Sequence, residues 1–174
     1  VDREYRVMKA LGEHSEVPVP AMHLLCEDDD VIGTSFYVMD FVPGRVFTQP
    51  QLEALPKDQR ADLYNDKIDT LAKLHSVDYQ AAGLGDFGKP KGYVERQVKR
   101  WSAQYEASKT DEMPAMDNLM AWLADNIPQD DSAAIAHGDF RLGNLLVDNR
   151  TPDVVAVLDW ELATISHPLA DLAY

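Results

Sequence analysis

Cysteine is nearly missing from this chain. Cys26 is the only one in 174 residues, which excludes an intrachain disulfide framework and a cysteine metal cluster. A lone thiol fits a reducing compartment, so a cytoplasmic location is the expectation. Positive charge is scarce as well. Sixteen Lys and Arg stand against thirty Asp and Glu, a formal net charge of -14, and that field repels nucleic acid and anionic membranes. No apolar run approaches the length of a membrane span, and no segment reads as a signal peptide. Internal repeats and low-complexity tracts are missing too. What remains, 45% hydrophobic and 26% charged, suits a globular chain long enough for one good core or parts of two lobes. The run Asp28-Asp29-Asp30 reads as a solvated turn rather than a metal site. The chain opens on Val1 inside an apparent helix and closes at Tyr174 directly after the apolar stretch 169–173, which predicts a piece of a larger protein.

Hydrophobic spacing gives the organisation. Tyr5, Met8 and Leu11 predict a helix over 2–12, with Gly12 as its stop. Val17-Pro18-Val19-Pro20 must be extended, because each proline restricts the residue before it. Strands are expected over 21–27 and 34–41, linked through the acidic turn and Gly33. Pro43-Gly44 breaks the second strand. Three helices follow, marked by Ala61, Tyr64, Ile68, Leu71 and His75 over 57–76, then by Val94, Val98, Trp101 and Tyr105, then by Met116, Leu119, Leu123 and Ile127 up to Pro128. The last third returns to strands at 133–136, 145–147 and 154–158, the last two forming a hairpin through 149–152. The fold class is therefore α+β, with a natural boundary at Pro43-Gly44 between a β-containing part, 1–43, and a mostly helical part, 44–174.

The chemistry concentrates in His137-Gly138-Asp139-Phe140-Arg141-Leu142-Gly143-Asn144 and in Asp159, which ends the apolar run 154–158. An Asp, four residues, an Asn, and then a strand-terminal Asp is the arrangement of kinase-type phosphoryl transfer. Asp139 can orient or deprotonate an acceptor hydroxyl. Asn144 and Asp159 supply the hard oxygens that magnesium prefers. A hairpin of adjacent strands brings the residue before one strand near the residue after the next, so these oxygens can converge on one ion.

Each residue also has an ordinary structural role open to it. Asp139 alone is a loop former or a cap. Arg141 either meets the transferred phosphoryl group or makes a salt bridge in an acidic protein. His137 fits a buried histidine bonded to the loop backbone better than a base, since Asp139 already fills that role. Glu161 either reaches the same metal or caps the next segment. Asp171, in an apolar setting, is expected to accept hydrogen bonds from loop backbone. His75 reads as a satisfied core histidine, and Trp101, Trp122 and Trp160 as packing residues. A hydrolase centre of His137, Asp139 and Asp159 is disfavoured, because no second histidine sits at helical ligand spacing.

Together, residues 137–144 and Val157-Leu158-Asp159-Trp160-Glu161 resemble the aminoglycoside phosphotransferase and choline kinase-like superfamily. The wording is most similar to the branch associated with acyl-CoA dehydrogenases. Arg3-Glu4-Tyr5-Arg6-Val7-Met8, the stretch from Tyr37 to Gly44, Leu71-Ala72-Lys73-Leu74-His75 and the stretch from His167 to Ala173 look like that branch too. The resemblance implies a protein-kinase-like two-lobed fold, truncated at both ends: residues 1–43 as the end of the small lobe and the hinge, 44–174 as a partial large lobe with a catalytic β-hairpin. It implies ATP and Mg as cofactors, Asp139 as base, Arg141 against phosphate, and Asn144 and Asp159 as metal ligands. Glu4 matches the helix glutamate that pairs with a nucleotide-binding lysine, and Met39, Asp40 and Val42 fall on the hinge beside adenine.

The family's Gly-rich hairpin and strand lysine have no counterpart in residues 1–174, so the resemblance implies a kinase in the longer protein and little or no activity in this piece alone. The expected reaction is transfer to a hydroxyl of a small molecule, either a hydroxyacyl compound or an aminoglycoside-like acceptor. The alternative is a non-catalytic, pseudokinase-like nucleotide-binding module partnering an acyl-CoA dehydrogenase. Neither a nucleic-acid nor a membrane partner is expected.

Overall fold

The structure, a computed structural model, describes residues 1–173. Helix α1, Asp2–His14, buries Val7, Met8, Ala10 and Leu11 on one face. It runs past Gly12, where the sequence predicted a stop. The actual end is Ser15, which is extended and whose backbone N–H and Oγ both donate to the Leu11 carbonyl, at 3.0 and 2.7 Å. A side chain that satisfies the last turn outweighs glycine's weak helix propensity.

Strands β1, Met22–Cys26, and β2, Phe36–Met39, pair antiparallel and pack beneath α1. Between them the acidic residues form a single helical turn, α2, Asp29–Ile32, rather than an irregular loop. Asp28 caps it by accepting the Asp30 N–H at 2.9 Å, and Gly33 ends it in the left-handed region with φ 90°. All three aspartates stay exposed, as a solvated acidic turn should.

Helix α3, Lys57–His75, faces the core with Leu63, Thr70, Leu71 and Leu74. Tyr64 and Ile68, expected on that face, are exposed. The leucines at i, i+8 and i+11 bury more apolar surface than the mixed Ala61–Tyr64–Ile68 stripe, and they set the helix rotation. Helices α4, Tyr93–Ser108, and α5, Pro114–Asp125, pack on each other and bury no residue completely. Trp101 and Trp122 are 57% and 59% exposed, so of the three tryptophans only Trp160, at 1%, is a core residue.

Two further short strand pairs complete the described fold. Strands β4, Leu145–Val147, and β5, Val154–Val157, form the expected hairpin with Leu145 opposite Val157. Strand β3, Ala134–Ala136, pairs with β6, Thr164–Ser166, placing Ile135 opposite Ile165. That last strand, and the one-turn helix α6 at Leu169–Leu172, were not anticipated. One apolar core joins α1, α3 and the strands, with Leu11, Leu63, Leu74, Ile135, Leu145 and Trp160 at its centre. The 137–144 loop therefore leaves one buried strand, β3, and enters another, β4. Both of its ends are fixed by core packing.

Candidate active site

The loop geometry begins at its glycine. Gly138 has φ +85°, and a Cβ there would lie 2.7 Å from the Leu162 carbonyl oxygen, so only glycine fits both the conformation and the space. The buried Asp171 carboxylate holds this turn. Its Oδ2 accepts the His137 N–H and its Oδ1 the Gly138 N–H, each at 2.8 Å, and His75 Nε2 approaches Oδ2 at 3.1 Å. Burial pushes the Asp171 carboxyl up, but the hydrogen bonds from His75 and the two backbone N–H groups outweigh it, leaving the group below its usual range.

His137 is fully buried. Its Nε2 lies 2.9 Å from the Leu158 carbonyl oxygen, its Nδ1 accepts the Asp139 N–H at 3.2 Å, and its ring rests 4.6 Å from that of Trp160. Accepting at Nδ1 and facing a carbonyl at Nε2 defines the neutral tautomer with its proton on Nε2. Burial lowers its basicity, against the opposing pull of the Leu158 carbonyl and the carboxylates Asp171, Asp139 and Asp159. The residue is structural, and Asp139 and Asp159 both lie within electrostatic reach of its ring.

Asn144 is 6% exposed and turns its amide onto Asp139: Nδ2 donates to the carboxylate Oδ2 at 2.8 Å and to the main-chain carbonyl at 2.9 Å. On the other side of Asp139, the Arg141 Nε donates to Oδ2 at 3.0 Å. The half-buried carboxylate is thus oriented by two donors from its own loop. Strand pairing then brings in the second aspartate. The Leu158 N–H donates to the Asn144 carbonyl at 2.9 Å, so Asp159 is the residue immediately after one hydrogen-bonded to Asn144.

Asp159 itself adopts φ 66° and ψ 59°, a left-handed conformation that costs a non-glycine residue energy and is characteristic of functional turns. Its carboxylate is exposed, and no Lys, Arg or His among the described residues lies within 4.0 Å of it. The Oδ1 of Asn144 likewise receives no hydrogen bond from the described residues. Two hard oxygen donors without cationic or N–H partners suit a small divalent cation. Among the described residues no group of three His, Cys, Asp or Glu side chains is placed to hold a metal ion, so any such ion depends on the Asn oxygen and on other ligands.

The remaining predicted residues lie on the β1–β2 side. Glu4 lies in the first turn of α1 and is partly buried. Burial raises the Tyr37 hydroxyl pKa, and the Glu4 and Asp159 carboxylates raise it further, so one phenol senses both. Met39 ends β2. The Asp40 N–H is taken by the Ala21 carbonyl at 2.9 Å, and its side chain meets His23 Nε2 at 2.6 Å. That leaves the Asp40 carbonyl, and not its N–H, for a ligand. Val42 donates no backbone hydrogen bond among the described residues. Glu161 is exposed beside Gly138, without a described ion pair. Lys67, which the sequence reading does not single out, lines a cleft with Phe140 and Gly143, and burial lowers its ammonium pKa. A lysine within an otherwise acidic helical turn was the only signal.

A family model described as the phosphotransferase enzyme family matches residues 1–174. Acyl-CoA dehydrogenase family member 11 of Gallus gallus is 49% identical over 175 residues, covering all of this chain and 22% of that protein. Acyl-CoA dehydrogenase family member 10 of Mus musculus is 44% identical over 174 residues and is covered to 16%. The chain thus spans about a fifth of the curated relatives it matches. A crystal structure from Ralstonia eutropha, provisionally assigned as an aminoglycoside phosphotransferase, superposes with a TM-score of 0.95 at 49% identity, over all of this chain and 53% of that one. A ternary complex of streptomycin, ATP and an aminoglycoside phosphotransferase shares the fold at TM-score 0.66 and 20% identity, over 97% of this chain and 57% of that one. The architecture is that of the kinase-like aminoglycoside phosphotransferases.

Proposed function

Because the chain belongs to the phosphotransferase enzyme family, we propose that the protein containing it moves the γ-phosphoryl group of ATP, with Mg²⁺, to a hydroxyl of a small molecule. The observation that carries this reading is the Asn144 amide bonded to the Asp139 carboxylate in a loop whose end is tied to Leu158, next to Asp159.

Asp139 orients the acceptor hydroxyl and takes its proton as the new O–P bond forms and the bond from γ-phosphorus to the ADP oxygen breaks. Arg141, bonded through Nε to Asp139, meets a phosphate oxygen of the nucleotide. Asn144 Oδ1 and Asp159 hold Mg²⁺, which when bound offsets negative charge on the nucleotide phosphates. Glu4 pairs with a nucleotide-binding lysine of the longer protein, and Met39, the Asp40 carbonyl and the Val42 N–H border the adenine. Residues 1–43 then belong to a small lobe and 44–174 to a large one, in a cytoplasmic enzyme. Without a phosphate-binding lysine and Gly-rich hairpin, residues 1–174 alone have little or no turnover.

The acceptor is a hydroxyacyl compound or an aminoglycoside-like molecule. The relatives' designation as acyl-CoA dehydrogenase family members also favours a second reading, a non-catalytic module beside such a dehydrogenase. Transfer from γ-labelled ATP by the longer protein separates the two. The Asp139→Asn variant is expected to lose about 10²–10⁴-fold in transfer while still binding ATP. Absence of transfer to any acceptor, or equal loss of ATP binding, overturns the phosphotransferase reading.

A further inference from the structure

A cleft of about 660 Å³ opens beside the catalytic loop, and its lining departs from the acidity of the rest of the chain. Gly138, the residue before Asp139, lines it. So do Arg3, Lys89, Arg96 and Arg100. Four of the sixteen basic residues thus share one cleft in a chain with thirty carboxylates.

Helix geometry explains part of this. Tyr93, Arg96 and Arg100 stand at i, i+3 and i+7 on α4 and so project from one face. Burial and Asp171 raise the Tyr93 hydroxyl pKa while Arg96 and Arg100 oppose the rise, so both guanidiniums lie within electrostatic reach of that one phenol. Arg96 is anchored, donating from Nη2 to the Lys89 carbonyl at 2.6 Å and from Nη1 to that of Lys91. Arg3 donates to the carbonyls of Phe87 and Ala163, both at 3.0 Å, and lies over the Phe87 ring. Neither Lys89, Arg96 nor Arg100 has a carboxylate within 4.0 Å among the described residues. The cleft has two acids of its own. Asp86 is paired with Arg6, and Glu161 carries one negative charge against the four positive ones.

Resting on the phosphotransferase reading above, we propose that this cleft holds the anionic end, carboxylate or phosphate, of the acceptor, which is therefore an anionic alcohol and not a polycationic aminosugar. Arginine donors match the planar or tetrahedral oxygens of such groups. A polycation entering here would meet like charges instead. An anion seated on Arg100 and Lys89 leaves the rest of the acceptor to extend past Gly138 towards Asp139.

Calorimetry on the full-length protein tests this without turnover, using 3-hydroxybutyrate as the carboxylate probe, glycerol 3-phosphate as the phosphate probe and kanamycin as the polycation. Arg100→Glu is the informative variant, because the Arg100 side chain makes no hydrogen bond among the described residues. Lys89→Glu serves as a second reversal and Arg100→Lys as a rescue. At least one anionic probe should bind, weaken roughly tenfold in each reversal variant and recover in Arg100→Lys; the tighter of the two identifies the group. Binding unchanged by both reversals, failure of both anions to bind, or preference for kanamycin overturns the proposal. Charge-dependent anion binding without any phosphoryl transfer would leave the cleft assignment standing and remove the phosphotransferase reading. Efficient transfer to kanamycin would do the reverse.

Discussion

The carboxylate of Asp171 accepts the backbone N–H of Gly138 at 2.8 Å, across 33 positions of sequence. With the same carboxylate accepting the His137 N–H and facing His75, one buried side chain fixes the turn that aims Asp139. Asp171→Ala leaves two buried N–H groups and His75 without their acceptor. It should cost about 3–5 kcal/mol, measured by chemical denaturation. The acid sensitivity follows from the direction of the shift. A carboxyl whose folded pKa lies below its unfolded value of about 3.9 stabilises the fold above that value, and the contribution is lost as pH falls through the folded value. The midpoint temperature of Asp171→Asn should therefore fall less than that of the wild type as pH drops from about 4.

Buried His137 carries the opposite protonation preference. Its folded pKa is lowered by burial, so the native state binds fewer protons than the unfolded chain below about pH 6.5. Its stabilisation is complete above that pH and declines as pH falls through it. His137→Gln should remove this limb below about pH 6.5 in thermal melts, at some cost in stability at neutral pH from the lost ring packing on Trp160. An unchanged limb would assign the sensitivity elsewhere.

Gly138→Ala meets two penalties. The positive φ costs an L-residue about 1–2 kcal/mol, and the new methyl would overlap the Leu162 carbonyl, which is backbone and cannot step aside. We expect a destabilised protein whose transfer activity falls further than its stability, because the displaced turn carries Asp139. Retained activity with normal melting would show that the loop has freedom the packing denies it.

Much of this arrangement is legible in the sequence because it is local. The hairpin 145–147 with 154–157 is written in two short apolar runs around a turn, and its pairing places Asn144 beside Leu158. The spacing of Asp139 and Asn144 fixes their contact within one loop. Less visible is whatever depends on distant partners. Strand β6 has only three residues, too few for an alternating pattern, and exists because β3 lies beside it. Trp101 follows helical spacing and Trp122 reads as a packing residue, yet both stay exposed, since neither α4 nor α5 buries a residue completely. The cationic face of α4 is masked in the sequence by the apolar stripe of Val94, Val98 and Tyr105 on the same helix.

The central claim is that Asn144 and Asp159 present their oxygens to one divalent cation beside Asp139. Titrating the full-length protein with Mn²⁺ in the presence of a non-hydrolysable ATP analogue, and following paramagnetic relaxation of water, reads that ion directly. Nucleotide-dependent Mn²⁺ binding should weaken by about 10–100-fold in Asp159→Asn and in Asn144→Ala, with both proteins still folded. Mn²⁺ affinity equal to wild type in both folded variants would contradict the account.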